Sequence, residues 1–352
     1  MGSNIRTGGQ EITTVIPTHR RPIMLKRAVL SSLAQKNVSL RVSVFDNASG
    51  DETSSVVGEL MRCDQRLHYF CHRTNIGGAA NFDFGMRAVD TPFFSVLSDD
   101  DYLLPGFYER ALRGLARHPE AMFWAGMTLL VDESNWIWDV PVSRWGSEGL
   151  FPPPSGLLSM MHGKAPTWTG IVFRREVLDC LGFPDQEVLG PSDLDFVLRA
   201  AATFPFVLEK VPVSVFTLNA ESFSATQPLS MFWPGWQKMF INISGISGLD
   251  ERTKAEALNA LHYDARHMLF SRGMHAMAYG RIEFARDAAN VLSLQGDGKL
   301  RSWVMNCLLL FCRKVALIRT IYGSLYRGME TRMVRSRRKL QEQFAHLLHK
   351  GA

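Results

Sequence analysis

From Glu11 to about Val131 the chain alternates short β-rich runs with amphipathic helical stretches, and this alternation restricts it to βαβ units around a mostly parallel sheet. The strand candidates are residues 12–16, 41–45, 67–71, 93–97 and 122–130. Between them, residues 23–34, 52–61, 79–88 and 105–117 carry apolar side chains at three-to-four spacing, as helices that pack on a sheet must. Ligands in such sheets gather beyond the C-terminal ends of the strands, so chemistry is to be sought in the loops that follow them.

Residues 132–164 are rich in Trp, Pro, Gly and Ser and read as an irregular excursion or short hairpin. A second β/α segment follows, with strands at 169–173 and 206–216, a helix at 193–202, and a mobile loop at 217–228. Beyond Leu229 the pattern is helical, including 251–270, 274–292, 303–322 and 332–348. This gives a disordered lead-in over residues 1–10, an α/β domain over 11–228 and a helical region over 229–352. The lead-in, MGSNIRTGGQ, has no apolar core of a secretory signal, and the apolar run at 303–312 falls short of a bilayer span.

With 46% hydrophobic and 21% charged residues in 352, the chain has enough apolar material for a large core. Its five cysteines follow no metal or disulfide spacing and read as reduced, mostly buried thiols, which fits a cytoplasmic setting. The net charge of +5 is uneven: residues 299–352 hold 12 Lys/Arg against Glu330 and Glu342, which leaves −5 on the rest.

Five motifs sit after strand ends. Pro17-Thr18-His19-Arg20-Arg21-Pro22 ends an apolar run with hydroxyl, imidazole and guanidinium groups suited to phosphate oxygens, although an ordinary strand-to-helix loop would use the same proline. Asp46-Asn47-Ala48-Ser49-Gly50-Asp51 sets a carboxylate at a strand end, where Asp46 is placed to accept a base N–H and Asp51 to cap the next helix. Asn75-Ile76-Gly77-Gly78-Ala79-Ala80-Asn81 opens a helix with two glycines, which permits close approach of an anion to the helix N-terminus. No GxGxxG follows a strand, which counts against a nicotinamide enzyme.

The most informative motif is Ser98-Asp99-Asp100-Asp101. Three adjacent carboxylates repel one another, and a hard divalent cation is the simplest relief, the rival being a solvated acidic turn. Last, Ser192-Asp193-Leu194-Asp195 opens a helix, where either aspartate suits the helix dipole or acts as a base toward a hydroxyl.

In this order the motifs resemble the nucleotide-sugar-binding domain of glycosyltransferase family 2 over about residues 11–216. The resemblance implies a GT-A fold, that is, a Rossmann-like mixed sheet flanked by helices, here followed by an all-helical C-terminal region. It implies inverting transfer of a sugar from a nucleoside diphosphate, with UDP the default and GDP or dTDP open, to a hydroxyl of a glycan or lipid-linked acceptor in bacterial surface polysaccharide or glycolipid synthesis. Donor contacts carry over to Pro17, Thr18, Arg20, Arg21, Asp46, Asn75, Gly77, Asn81, Asp99 and Asp100. The metal, Mn²⁺ or Mg²⁺, falls to Asp100 and Asp101, the catalytic base to Asp193 with Asp195 as rival, and the acceptor floor to Trp168, Thr169 and Gly170. Ser98 and Ser192 stand where the family has acids. A non-catalytic module with a decayed site and a sugar nucleotidyltransferase are the competing readings, the latter lacking a glycine-rich loop after Ile16.

The C-terminal helices lie outside the resemblance. Trp and Leu beside Lys and Arg suit peripheral contact with the inner face of a membrane, and packing on the enzyme or on a second subunit is the alternative. Trp233 and Trp236 read as core, and the aromatics are not spaced for nucleic-acid stacking.

Overall fold

The computed structural model describes residues 11–219, 228–295, 298–314 and 316–348. The lead-in at 1–10 and most of the loop at 217–228 lie outside the described residues, as do the side chains of Arg313, Lys314, Arg319 and Arg335.

The chain opens with β1 (Glu11–Thr18), α1 (Pro22–Leu33), β2 (Ser39–Asp46), α2 (Thr53–Cys63), β3 (Leu67–Cys71), α3 (Gly78–Arg87) and β4 (Phe93–Val96). β1 is covered on both faces, so its side chains alternate between two cores: Ile12 and Ile16 join Leu25 and Val29 on one side, and Val15 joins Phe45 and Met86 on the other. Gly85 of α3 lets that helix lie directly on the sheet, since a Cβ there would come 2.7 Å from Val15 and 2.9 Å from Phe45.

Next come β5 (Tyr102–Leu103), α4 (Phe107–Arg117), β6 (Phe123–Asp132), β7 (Ile137–Asp139), β8 (Gly149–Phe151), α5 (Ser155–Met160), β9 (Ile171–Arg174), α6 (Glu176–Leu181), α7 (Ser192–Thr203) and β10 (Phe206–Leu218). The main path of the sheet runs β3-β2-β1-β4-β9-β6-β10-β5, with β7 on β6 and β8 on β10. β3, β2, β1 and β4 are parallel, β9 runs against both β4 and β6, and β5 runs against β10. The sheet is thus mixed, and the 132–164 excursion supplies a hairpin on β6 and an edge strand on β10. Pro212 cannot donate to the ladder, and the register of β10 against β6 shifts on either side of it.

The helical region comprises α8 (Leu229–Ser244), α9 (Glu251–Ala278), α10 (Ile282–Ser293), α11 (Lys299–Lys314), α12 (Ala316–Ser336) and α13 (Arg338–Leu348). Three of its boundaries differ from the sequence reading, the helix expected over 332–348 being divided between α12 and α13. The break expected near Gly273 falls instead at Gly280, where φ is +81°. Gly273 stays helical because a Cβ there would come 2.2 Å from Met305, making it a packing glycine. The helix expected over 303–322 is divided between α11 and α12. Met305 packs at Gly273 while the Tyr322 hydroxyl donates to the Met274 carbonyl at 3.0 Å, yet a straight helix would separate residues 305 and 322 by about 25 Å.

Trp233 and Trp236 are core residues, at 8% and 2% exposure. The cysteines depart from expectation: Cys63, Cys71 and Cys180 are exposed because each lies at the solvent-facing end of an element. Among the described residues no helix is long and apolar enough to cross a membrane.

Candidate active site

The loops after β1, β2, β3 and β4 meet at the C-terminal ends of the parallel strands, tied by hydrogen bonds between side chains far apart in sequence. Thr18, buried at the end of β1, donates its hydroxyl to Asp99 Oδ2 at 2.7 Å. Arg21 Nη1 reaches Asp99 Oδ1 at 3.1 Å and Asp100 Oδ2 at 2.9 Å. Arg20 has a left-handed backbone, φ +55°, held by its N–H on Ser49 Oγ at 2.8 Å, and its side chain remains exposed. Pro17 is buried at the same turn.

Asp46 is 1% exposed, and both its oxygens are used: Oδ1 accepts from the N–H and hydroxyl of Ser49, and Oδ2 from Tyr69 at 2.6 Å. Burial and the facing Asp46 carboxylate hold the Tyr69 phenol well above its ordinary value. Asp51 caps α2 through the Thr53 N–H, as the sequence indicates. Asn47 donates to Asn75 Oδ1 at 2.9 Å and accepts the Ile76 N–H, and Asn75 Nδ2 lies 3.3 Å from His19 Nε2. Gly77 precedes α3 with φ +90° and open space where a Cβ would be, so it is the backbone angle, not crowding, that asks for glycine. Asn81 turns inward: it is 2% exposed and links the Phe45 carbonyl to His72, placing it behind the site and not in it.

Each aspartate of the acidic run is treated differently. Asp101 is fully buried, with Oδ1 taking the Thr217 N–H at 2.8 Å and Oδ2 the Thr169 hydroxyl at 2.7 Å. Burial, reinforced by the charge of Asp100, pushes its carboxyl well above the usual range. Asp99 is raised by burial too, against the pull of Thr18 and Arg21. Asp100 alone keeps an oxygen, Oδ1, that takes no hydrogen bond among the described residues. Arg27 of α1 braces the turn by donating to the Asp100 carbonyl and to Thr217 Oγ1, with its guanidinium 4.7 Å from the Tyr102 ring centre.

The donor set fits a hard divalent cation that takes few protein ligands. No group of three metal-ligating side chains occurs among the described residues, and Mg²⁺ in particular commonly binds one or two carboxylates, completing its shell with phosphate and water. Asp100 suits that role. Both Asp101 oxygens already accept hydrogen bonds, from Thr217 and Thr169, and these lock the turn against β10 and the Trp168–Gly170 turn.

Trp168–Gly170 form a short 3₁₀ turn before β9. Trp168 is buried and stacks on Phe196 of α7 with ring centres 5.3 Å apart, while its indole N–H has no partner among the described residues. Gly170 is tightly enclosed, since a Cβ would stand 2.5 Å from Thr128 Oγ1. Thr169 and Gly170 therefore support the cleft from behind.

The two candidate bases stand in different environments. Asp195 is fully buried, with Oδ2 on Arg199 Nε at 2.8 Å and Oδ1 on Asn242 of α8 at 3.1 Å. Asp193, in the first turn of α7, is exposed to solvent. It is nonetheless crowded by surrounding protein, which pushes its carboxyl up against the opposing Leu194 N–H. Arg27, Thr217 and Asn242 are residues around the site that the sequence did not mark. Arg199, four residues after Asp195 on one helix, was readable as its partner.

Residues 13–182 match the family model described as Glycosyl transferase family 2. This α/β part of the chain belongs to that family. Among family members, the GalNAc(5)-diNAcBac-PP-undecaprenol beta-1,3-glucosyltransferase of Campylobacter jejuni is 33% identical over 97 residues, 27% of this chain and 31% of that protein. An uncharacterized glycosyltransferase of Rickettsia typhi is 24% identical over 52% of this chain and 56% of its own length. The chain thus spans between 31% and 66% of the curated relatives it matches.

Among solved structures, S. aureus TarS 1-349 in complex with UDP-GlcNAc superposes with a TM-score of 0.62 over 90% of this chain and 92% of that one, at 16% identity. The mannosyltransferase PcManGT of Pyrobaculum calidifontis, in complex with GDP-Man and Mn2+, gives 0.52 over 89% and 86%, at 15% identity. The chain therefore has the GT-A fold of these glycosyltransferases, and its helical region lies within the shared architecture.

Proposed function

We propose that the protein is an inverting glycosyltransferase that moves a sugar from a nucleoside-diphosphate sugar, UDP-linked by preference, to a hydroxyl of a glycan or lipid-linked acceptor in bacterial surface polysaccharide or glycolipid synthesis. The observation that carries this reading is the cluster of Thr18, Arg21, Asp99 and Asp100 at the ends of β1 and β4, with one Asp100 oxygen free of hydrogen bonds among the described residues and Asp193 exposed at the start of α7. The UDP-GlcNAc held by TarS and the undecaprenol-linked acceptor in the name of the Campylobacter relative support the donor and acceptor classes.

Arg20 and Arg21 provide cationic guanidinium groups for the diphosphate, and Asp46 with Asn75 and Gly77 shapes the nucleoside side of the cleft. Mn²⁺ or Mg²⁺, held through Asp100, would neutralise charge on the diphosphate. Asp193 takes the acceptor proton as the acceptor oxygen bonds to the anomeric carbon. The bond from that carbon to the phosphate oxygen breaks with its electron pair leaving on the diphosphate, so one displacement inverts the anomeric configuration. The buried polar atoms His19 Nδ1 and Trp168 Nε1, unpartnered among the described residues, are fitting contacts for a bound substrate.

The test is calorimetric titration with UDP, GDP and dTDP, each with and without Mn²⁺, on the wild type and on Asp100→Ala. Metal-dependent binding of one nucleotide, lost in the variant, is the expected result and names the base. Binding of none of them would leave a non-catalytic module as the better account, and proton NMR of a product with retained anomeric configuration would overturn the single displacement.

A further inference from the structure

Helix α11 has two apolar faces. One is buried: Ser302, Met305 and Leu309 are 3%, 0% and 8% exposed, with the Ser302 hydroxyl on the Ala289 carbonyl and Met305 against Gly273. The opposite face carries Leu300, Trp303, Leu310 and Phe311, exposed at 70%, 64%, 59% and 57%. Their spacing puts them on one side of the helix, about half a turn from the buried set. A helix with its core on one side ordinarily shows polar residues on the other. The pattern repeats on α12, where Ile321, Leu325 and Met329, each four residues from the next, are exposed at 49%, 70% and 54%.

These stripes are bordered by positive charge. Lys299 and Arg332 are exposed, and residues 299–352 hold 12 Lys/Arg against two glutamates. One of those two, Glu342, already pairs with Arg338 at 2.9 Å. A second copy meeting this surface face to face would set like charges against each other. An anionic lipid surface complements both features: headgroups attract Lys and Arg, and Trp and Leu enter the boundary between headgroups and acyl chains.

We propose that the outer faces of α11 and α12 dock the protein on an anionic lipid bilayer, with Leu300, Trp303, Leu310 and Phe311 entering the boundary region and Lys299 and Arg332 lying among the headgroups. Such docking needs no membrane span, in keeping with the helix lengths. It rests on the helices and their charge, not on the reaction assigned to the cleft.

Flotation of the full chain with phosphatidylcholine vesicles, and with vesicles also containing phosphatidylglycerol, tests it without any sugar donor. The wild type is expected to float with the anionic vesicles and to bind zwitterionic ones at least roughly tenfold more weakly, with raised salt also releasing it. Trp303→Glu/Leu310→Glu is expected to stay in the unbound fraction, and Lys299→Glu/Arg332→Glu to lose the preference for phosphatidylglycerol. Both pairs are exposed, and unchanged circular dichroism shows that they fold. Failure of the wild type to float, or equal flotation of the apolar variant, overturns the proposal. So does a dimer by light scattering that the apolar variant dissolves, since the face would then be a subunit interface.

Discussion

Three adjacent carboxylates in one turn cannot share a single role, and the partners of each oxygen decide what each one does. Asp101, sealed between Thr169 and Thr217, is held above its usual pKa by burial, so its folded form binds a proton more readily than its unfolded form does. Its contribution to stability is therefore complete below the ordinary carboxylate value and lost as pH rises through the folded pKa. Asp101→Asn keeps an oxygen for the Thr217 N–H and removes the buried charge. In chelator its melting midpoint at neutral pH is expected to equal or exceed the wild type's, the difference closing as pH falls; a large loss at neutral pH would show that the ionised form is required. Asp193 gives the opposite limb. As the proposed base it acts only when ionised, and the surrounding protein raises its pKa, so kcat/KM is expected to fall as pH drops through a value above the ordinary carboxylate one. Asp193→Asn should remove that limb and lower kcat about 10²–10⁴-fold with donor binding intact. A variant within a few-fold of wild type would transfer the role elsewhere. The acid run itself was plain in the sequence. Its sorting was not, because Thr169, Thr18 and Thr217 arrive from 68, 81 and 116 residues away. The different environments of Asp193 and Asp195 were hidden for the same reason, Asn242 lying 47 residues beyond Asp195.

At the scale of elements, the strands and helices of the α/β half follow directly from hydrophobic period, because each is buried on a face that its own residues define. β1, β2 and β4 emerge within two residues of the runs read from sequence, and Pro22 starts α1. Periodicity does not tell a glycine that breaks a helix from one that lets two helices touch. Gly273 was read at a break and is a contact; Gly280, with positive φ, is the break. Gly235 of α8 is a sharper case, since a Cβ there would sit 2.0 Å from the Val188 carbonyl oxygen, in the loop that leads to α7. Backbone lies on one side and a helix on the other, so neither yields cheaply. Gly235→Ala is expected to lower stability by about 1–3 kcal/mol, read as a fall in the urea midpoint at unchanged slope. Because that loop sets the start of α7, kcat should fall as well. A variant of wild-type stability would mean that α8 can slide away from the loop. The same junction is braced by Asn242 on Asp185 and by Lys238 on Glu187, at 3.1 and 2.6 Å.

For the whole molecule, the change from α/β to helical pattern at residue 228 is a change of secondary structure and not of core. One apolar cluster runs from Val15 and Phe94 in the sheet through Phe196 of α7, Trp236 and Phe240 of α8 and Met277 of α9 to Phe344 and Leu348 of α13. A reading by composition places a boundary there because the residue pattern changes, and it cannot see that α8 buries its tryptophans against the loop before α7 and against α9. Arg337 adds a contact from the far end of the chain, its guanidinium 5.3 Å from the Trp138 ring centre near β7. Two regions that share a core lose each other's cover when either unfolds, so unfolding should be a single cooperative event. Calorimetry of the full chain is expected to show one transition whose calorimetric and van 't Hoff enthalpies agree, with tryptophan fluorescence and helical circular dichroism melting together. Two resolved transitions, with the helical signal lost first, would mean that residues 229–348 are an independent domain resting on the sheet. A shared core also fixes where α11 and α12 stand relative to the cleft: lipid contact through their outer faces would then hold the whole active site at one orientation to the bilayer, with no flexible joint between them.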